Sequence, residues 1–356
     1  MVNIVYLKPH SSFRNKLRSD TLWGALCWAM RMVDGNKKLE DFIKQYETAP
    51  PIIISSCYPY KQIGRDKIPY FPKPILPEKP LDLSDDISFK KAKAALRKRK
   101  KRKKIKLLSK EDYESFLKGN KIDDNQVDEL IEKQPIFKTE TVTHNTINRI
   151  TNSTDKITGW KKVKKKETKK EQYEPITAGQ LFHIEEYFLK DPENPTKAQD
   201  NVGLYFLVKG DIQLIEGALR YLEHTGIGGD RGTGKGHFEI SHQPFKLDVP
   251  QDGKNWTNLS LYHPTSKELN TVEQDKEKEK NYYYKLETRQ GYYGFINTKT
   301  IPKIPKMFFK EGSVFSEGIN TMSYAGFNPI VLHKGTKGLD HDVYQYGTAF
   351  MVKMKI

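Results

Sequence analysis

The stretch TGIGGDRGTGKGHFEIS, from Thr225 to Ser241, contains six glycines and constrains the fold more than any other part of the sequence. The preceding residues, DIQLIEGALRYLEHTG, have the apolar spacing of a helix, with Asp211 as the expected N-cap and Gly226 as the stop. The residues HFEIS after the glycines predict a strand. The glycines therefore form a helix-to-strand loop, in which they permit positive φ angles and expose backbone N–H groups.

This loop is similar to a P-loop, because Gly229-x-x-x-x-Gly234-Lys235 has the required spacing. A P-loop has Ser or Thr after the lysine, where this chain has Gly236, and it follows a strand and opens a helix. Here the order of helix and strand is reversed, so we do not expect an NTPase. Asp230 is expected to pair with its neighbour Arg231. We predict instead that the loop binds phosphodiesters through Gly226, Gly228, Gly229, Arg231, Gly234, Lys235 and His237.

The apolar pattern of the first 245 residues predicts an ordered set of strands and helices. NIVYLK predicts a first strand, and SDTLWGALCWAMRMV predicts a helix capped by Ser19 or Asp20 and ending near Asp34-Gly35. LFHIEEYFL and GLYFLVKG predict two strands paired with each other, ahead of the helix and the glycine loop. This order is the β-α-β-β-α-β arrangement of a ferredoxin-like domain.

A second set of apolar stretches follows Pro250 and predicts further strands in LSLYHP, YYYKLETRQGYYGF, KMFFKEGSVF and YQYGTAFMVKMK. Residues 267–280 are expected to form a polar linker. The predicted fold class is therefore α+β, with two ferredoxin-like domains. Residues 1–245 form the first, with the glycine-rich loop at 225–236, and residues 246–356 form a smaller second domain.

The first domain is expected to contain an insertion, from about residue 60 to 178, that is most strongly charged between 80 and 175. Its proline-rich start, YFPKPILPEKP, predicts irregular structure. A basic helix is expected over residues 89–105, and Ser109-x-x-Asp112 predicts a capped short helix that ends at Gly119. The segment THNTINRITNSTDKITGWKKVKKK predicts an ordered loop or hairpin with a mobile basic tip.

The formal net charge of +16 favours a polyanionic partner, although the basic excess is local. Two runs, at residues 90–106 and 161–170, carry +12 and +6, so the remaining residues carry −2. Cys27 and Cys57 are the only cysteines, which argues against a disulfide scaffold or a cysteine-rich zinc site. With no signal peptide or long apolar span in the sequence, we expect a cytoplasmic protein without membrane segments, metal or cofactor.

Two further stretches have the residue types that bind single-stranded RNA. The polar segment around THNTINR brings together His144, Asn145 and Arg149, and RQGYY joins Arg289 to Tyr292. The alternative for RQGYY, a strand whose tyrosines pack into a sheet, is left open by the sequence.

A helix ending in GIGGDRGTGKG and continuing into a strand resembles the glycine-rich loop of the RAMP superfamily of CRISPR-associated proteins. Three other stretches, SDTLWGALCWA, HNTINRITNST…GQLFHIEEYF and VYQYGTAFMVKM, resemble those of subunit four of the type III-A (Csm) effector. The resemblance extends from the first helix to the last strand. It implies a non-catalytic subunit in antiviral defence that binds the repeat-derived 5′ handle of the crRNA and contacts the large signalling and nuclease subunit and the backbone RAMP subunit.

One alternative function of another class remains, a metal-independent endoribonuclease that matures crRNA, as some RAMP proteins do. That reaction requires a general base and a general acid around a 2′-hydroxyl group. His10, His144 and His237 are the candidates for these roles.

Overall fold

The computed structural model describes residues 1–77, 89–123, 125–145, 159–164, 171–176, 181–190, 201–277, 282–293, 301–316, 324–336 and 339–356. The chain forms two compact units. The larger combines Met1–Phe137 with Leu189–Ile356, and the smaller is Lys138–Phe188.

The described residues contain α-helices at Ser19–Asp34 (α1), Asn36–Gln45 (α2), Phe89–Arg102 (α3), Lys110–Leu117 (α4), Val127–Lys133 (α5), Glu216–Thr225 (α6) and Ser266–Glu277 (α7). Short 3₁₀ turns at Ile212–Ile215 and Arg231–Thr233 precede and follow α6.

The strands of the larger unit's first half are Val2–Pro9 (β1), Ile52–Ile54 (β2), Tyr58–Ile63 (β3), Asp66–Pro72 (β4) and Leu107–Ser109 (β5), and later Val202–Gly210 (β10) and Phe238–Pro244 (β11). Along the described part of the sequence, β5 and β10 are separated by four further strands: Ile136–Asn145 (β6), Gly159–Lys164 (β7), Glu171–Ile176 (β8) and Leu181–Lys190 (β9). The C-terminal strands are Asn255–Asn258 (β12), Leu286–Arg289 (β13), Tyr292–Tyr293 (β14), Ile301–Pro302 (β15), Lys306–Phe309 (β16), Val314–Ser316 (β17), Ile330–Leu332 (β18), Val343–Tyr344 (β19) and Met351–Met354 (β20).

The main sheet is antiparallel and has the strand order β11–β1–β10–β3–β4–β5, with β2 also paired to β10. In its centre Tyr6 of β1 faces Tyr205 of β10 on one side and Ser241 of β11 on the other. The middle of β1 and nearly all of β10 are buried, as is usual for strands covered on both faces. The helices α1 and α6 pack against each other. The chain is therefore α+β, as the sequence predicts.

One face of this sheet is covered by the protein's own core. Tyr6 and Tyr205 belong to a cluster that also contains Tyr113 of α4 and Phe350 near the C-terminus. The ring of Tyr113 stacks on that of Phe71, with centroids 4.6 Å apart. These aromatic side chains are packing groups, so they do not form an open platform on which RNA bases could stack.

The C-terminal part contains a three-stranded antiparallel sheet in the order β17–β12–β20 and several two-stranded pairs. LSLYHP, predicted as a strand, is instead an irregular segment after β12 with one isolated bridge at Tyr262. The predicted linker at residues 267–280 is wrong over most of its length, because α7 occupies it up to Glu277. Thr265 and Glu268 cap this helix through reciprocal hydrogen bonds, the capping box of a helix start.

Several predicted boundaries are confirmed. Ser109 caps α4 by accepting a hydrogen bond from the Asp112 N–H, and Asp211 caps the 3₁₀ turn before α6. Gly35 and Gly226 follow the ends of α1 and α6 with φ angles of 87° and 79°. The predicted strand in HFEIS is part of β11.

Three other predictions are wrong. β9 pairs with β6 and not with β10, because β10 already lies between β1 and the β2–β3 side of the main sheet. Part of the proline-rich segment is a strand, since Tyr70, Phe71 and Pro72 lie in β4. This strand pairs with β3 only up to Pro69 and with β5 only from Tyr70, so each residue has one strand neighbour, as at a sheet edge where proline is tolerated.

The predicted cap of α1 is also wrong. The helix begins at Ser19, and its N-cap residue, Arg18, makes no side-chain capping bond. Ser19 and Asp20 are used for longer-range contacts instead. The Ser19 hydroxyl accepts a hydrogen bond from Leu261 N, 3.0 Å away, and the Asp20 carboxylate binds a side chain from β13.

Candidate nucleic-acid interface

The base of the glycine loop is closed by backbone hydrogen bonds. Ile227 N donates to Gly236 O, and Gly236 N donates to Ser12 O, both at 2.8 Å. Gly236 has a φ of 69°, and a Cβ there would lie 2.2 Å from Ile227 O. Only glycine fits such a close backbone approach, so Gly236 is required by the structure of the loop and not by a ligand.

The first half of the loop is fixed to the segment between β1 and α1. Asp230, the one non-glycine residue with positive φ among the described residues, accepts hydrogen bonds from Arg14 Nη1 at 2.9 and 3.0 Å. Gly228 and Gly229 lie against Leu17 and Arg14. The expected pairing of Asp230 with Arg231 is therefore wrong. Asp230 has a left-handed backbone conformation, and its carboxylate contacts Arg14 and not the neighbouring Arg231.

The tip of the loop, from Arg231 to Gly234, is exposed. Its N–H groups at Thr233 and Gly234 are used within the loop, since they donate to Asp230 O and Arg231 O at 3.0 and 3.1 Å. Among the described residues, the N–H groups of Gly228, Gly229, Asp230, Arg231 and Gly232 donate no backbone hydrogen bond. These N–H groups are the backbone donors that remain for an anion.

The two charged candidates of the loop differ in their surroundings. Arg231 is exposed at the tip. The ammonium group of Lys235 donates to Ser12 Oγ at 3.0 Å, and His237 N donates to Ser11 Oγ at the same distance. The structure thus brings all seven loop candidates together, while Gly226 is buried against the Lys235 and Gly236 carbonyls and is part of the loop's frame.

His144 and Asn145 lie at the end of β6, in the smaller unit. The His144 ring stacks on Phe182 with centroids 5.6 Å apart, and its Nε2 lies 3.5 Å from the buried Glu186 carboxylate. His144 is thus a partly buried strand residue and not the loop residue that the sequence predicts. Asn145 is exposed. Arg149 lies outside the described residues.

Arg289 and Tyr292 lie in different strands, Arg289 in β13 and Tyr292 in β14. The Arg289 guanidinium is bound to Asp20 of α1, and β14 exposes 68% of the Tyr292 side chain while burying Tyr293. The packing interpretation of RQGYY is therefore confirmed for Tyr293, whereas Tyr292 is exposed and its contact with RNA stays a prediction.

A buried ion-pair network that no local sequence pattern indicates lies next to this region. Arg18 Nε donates to Glu311 at 2.8 Å, and the same guanidinium contacts Glu287. The Glu311 carboxylate also accepts from Ser56 Oγ at 2.6 Å. Burial lowers the pKa of Arg18, but hydrogen bonding and attraction to Glu311 and Glu287 outweigh it and raise the pKa above its ordinary range. The network joins the start of α1 to the C-terminal half across 293 residues of sequence.

Among the described residues, no group of three or more His, Cys, Asp or Glu side chains could hold a metal ion. No helix in the described part of the chain is long and apolar enough to cross a membrane.

Comparison with known protein families shows which family the chain belongs to. The RAMP superfamily matches residues 9–239, which include α1, β10 and the glycine loop. The chain belongs to the RAMP superfamily. A second family, the CRISPR Csm4 C-terminal domain, matches residues 251–354.

Individual relatives agree with this membership. The RAMP chain is 24% identical over 362 residues to the CRISPR system Cms protein Csm4 of Thermococcus onnurineus (strain NA1), covering 99% of this chain and 96% of that protein. It is 27% identical over 224 residues to the protein of the same name from Methanocaldococcus jannaschii, covering 57% of this chain and 52% of that protein.

Solved structures have a similar fold. A crystal structure of a Csm3–Csm4 subcomplex of the type III-A CRISPR-Cas interference complex matches with a TM-score of 0.56 at 19% identity, covering 99% of this RAMP chain and 100% of that chain. A Csm1–Csm4 cassette in complex with cA4 matches with a TM-score of 0.57 at 20% identity, covering 100% and 98%.

Proposed function

We propose that this RAMP chain is a non-catalytic RNA-binding subunit of a type III-A CRISPR effector and holds the repeat-derived 5′ handle of the crRNA. The observation that carries the proposal is the exposed tip of the glycine loop. Backbone hydrogen bonds close the base of this loop, while N–H groups of residues 228–232 have no backbone acceptor. The similarity to a Csm4 protein over nearly the whole of both chains supports the type of complex.

The loop binds the RNA backbone through two kinds of donor. The N–H groups of Gly228, Gly229 and Gly232 are short-range donors that fit phosphate oxygens. Arg231 and Lys235 add the charge that neutralises the backbone. His237, Asn145, His144 and Tyr292 contribute contacts with sugars and bases, and Arg149 adds a further phosphate contact.

We further propose that each half of the chain derives from a ferredoxin-like domain. In the first half the order β11–β1–β10–β3 corresponds to the fourth, first, third and second strands of the β-α-β-β-α-β arrangement, with α1 and α6 as its helices. In the second half β20–β12–β17 corresponds to the fourth, first and third strands. A bridge from Tyr283 to Val314 continues this order.

The proposed partners are the large signalling and nuclease subunit and the backbone RAMP subunit, which this chain bridges in the cytoplasm. The similar structures of Csm1–Csm4 and Csm3–Csm4 assemblies support this proposal. Mixing the purified chain with both partner subunits and guide RNA, and measuring the assemblies by size-exclusion chromatography with light scattering, tests it. A ternary assembly that forms only with this chain supports bridging, and direct binding of the two partners without it contradicts bridging.

The endoribonuclease remains a second candidate because of one observation. His10 and His237 lie side by side at the ends of β1 and β11, where His10 N donates to His237 O at 2.8 Å. Two imidazoles beside a phosphate-binding loop are residue types that could transfer protons at a 2′-hydroxyl. Replacing either histidine by alanine in a cleavage assay separates the candidates.

A further inference from the structure

Four segments of the chain are joined by hydrogen bonds, beginning with the segment between β1 and α1 that carries Lys16. Glu311 holds this segment through its contact with Arg18. The turn containing Glu311 also binds the chain after β4, since Ile75 N donates to Gly312 O at 2.7 Å. That chain in turn binds the residues before β5, since Lys73 N donates to Lys106 O at 2.9 Å.

These segments bring positive charges together. Lys16, Lys106 and Lys310 each come from a different one of these segments, and all three side chains are exposed. Among the described residues, neither Lys16 nor Lys106 has a carboxylate within 4.0 Å, and Lys310 has only Glu287 at 3.6 Å. The nearby carboxylate of Glu311 is already bound to Arg18 and Ser56.

The cations repel one another in the free protein. Partial desolvation of the Lys16 ammonium group, followed by repulsion from Lys310, Lys106 and Arg18, lowers the pKa of Lys16, and the attraction of Glu311 opposes this only in part. An aromatic ring lies at the same place, because the Lys16 ammonium is 5.4 Å from the centre of the Phe137 ring. The carboxylates of Glu287 and Glu311 compensate only part of the positive charge gathered here.

We propose that Lys16, Lys106 and Lys310 form a second phosphate-binding site for RNA, which we call the three-lysine site. It shares no residue with the glycine loop, but both depend on the segment between β1 and α1, because Arg14 and Leu17 contact the loop and Lys16 belongs to the three-lysine site. The backbone of one RNA strand that passes both sites is thereby held at two points. This inference rests on the proposed function, since it takes RNA as the ligand.

The test is an acetylation footprint of the full-length chain, read by mass spectrometry with and without guide RNA. We expect RNA to protect the lysines of the three-lysine site together. Lys38, Lys118 and Lys355, which are exposed and paired with carboxylates elsewhere, should react equally in both states. RNA that binds without protecting Lys16, Lys106 and Lys310 overturns the site and leaves the glycine loop untouched.

A matched pair of variants provides the second measurement. Replacing the three lysines of the site by glutamine should make the dependence of log affinity on log salt shallower by about two units, at about 0.7 per phosphate contact with single-stranded RNA. The control variant, with glutamine at Lys38, Lys118 and Lys355, removes the same charge and should keep the parent slope.

The outcomes separate this inference from the proposed function. Equal slopes for the two triple variants overturn the three-lysine site. If RNA protects the three lysines while neither Arg231→Gln nor Lys235→Gln changes the affinity for RNA, that result supports the three-lysine site and contradicts the role of the loop. A chain that binds no RNA contradicts both.

Discussion

Arg289 of β13 forms a two-pronged ion pair with Asp20 of α1, with Nε to Oδ2 at 3.1 Å and Nη2 to Oδ1 at 3.2 Å. The Asp20 carboxylate is nearly buried and also accepts hydrogen bonds from Thr21 N and the Gln345 side chain. Together with Arg18 and Glu311, this pair connects the first helix to the C-terminal half. These contacts therefore attach the start of α1 to the C-terminal half of the chain.

Breaking this pair should cost stability and leave RNA binding intact. We expect Arg289→Ala to lower the free energy of unfolding by about 2 kcal/mol, since it leaves a largely buried carboxylate unpaired while Arg289 itself is partly exposed. A double-mutant cycle with Asp20→Asn, measured by urea denaturation, should give a coupling energy of similar size. Weaker RNA binding by a stably folded Arg289→Ala protein would support the earlier assignment of Arg289 to the RNA.

The glycines of the loop should fall into two classes. Gly236→Ala should destabilise the protein by about 2 kcal/mol or more, because it strains a positive φ and drives a Cβ into Ile227 O. Gly234→Ala should cost only about 1 kcal/mol, since its φ is 83° but the space around it is open. Thermal denaturation measures both, and Gly232→Ala, with open space and no positive φ, is the control. Equal losses at Gly236 and Gly232 would contradict the closed base of the loop.

Much of this architecture could be predicted from local patterns. The burial of β1 and β10, the caps at Ser109 and Asp211, and the glycine stop after α6 each depend on neighbouring residues. α7 was missed although Thr265 and Glu268 carry its capping signal, because only Val272 of its described side chains is buried and no apolar stripe is present. Partners distant in sequence, such as Arg18 and Glu311 or Arg14 and Asp230, leave no local pattern.

The pairing of β9 also could not be predicted from local sequence patterns. β9 and β10 are consecutive and both apolar, which favours pairing between them. However, β9 has an exposed first half, whereas β10 is buried on both faces. The choice of β6 as the partner of β9 depends on long-range contacts. For the site, the loop could be predicted from its glycines, but the way Ser12, Arg14 and Leu17 support it could not.

The two cations of the loop, Arg231 and Lys235, should set the salt dependence of RNA binding. Arg231→Gln and Lys235→Gln should each make the slope of log affinity against log salt shallower by about 0.7, the value for one phosphate contact with a single strand. Arg220→Gln is the matched control, because Arg220 is an exposed arginine of α6 paired with Glu216. Fluorescence anisotropy over a series of salt concentrations gives the slopes. If Arg220→Gln changes the slope as much as Arg231→Gln, the tip has no special role.

His263 should make stability depend on pH. Burial lowers its pKa, Lys306 lowers it further, and the hydrogen bond to Met307 O opposes them. Since the folded pKa lies below the unfolded value of about 6.5, protons bind preferentially to the unfolded chain. Stability is full above that pH and falls as the pH is lowered towards the folded pKa.

Urea denaturation at pH 7.5 and 5.5 measures this effect. The loss of unfolding free energy between the two pH values should be smaller in His263→Gln than in the parent protein, whatever the change in absolute stability. The same pH dependence in both proteins would mean that other groups are responsible.

The central claim is that the chain holds guide RNA through its glycine loop and does not cut it. Incubating the full-length protein with 5′-labelled repeat RNA, with and without magnesium, and separating the products on native and denaturing gels tests both parts at once. We predict a retarded complex on the native gel, with intact RNA on the denaturing gel in both conditions, and loss of the complex on combined Arg231→Gln and Lys235→Gln substitution. If the parent protein produces a shortened RNA, and His10→Ala, His144→Ala or His237→Ala abolishes that product, the claim is contradicted and the chain is a processing nuclease.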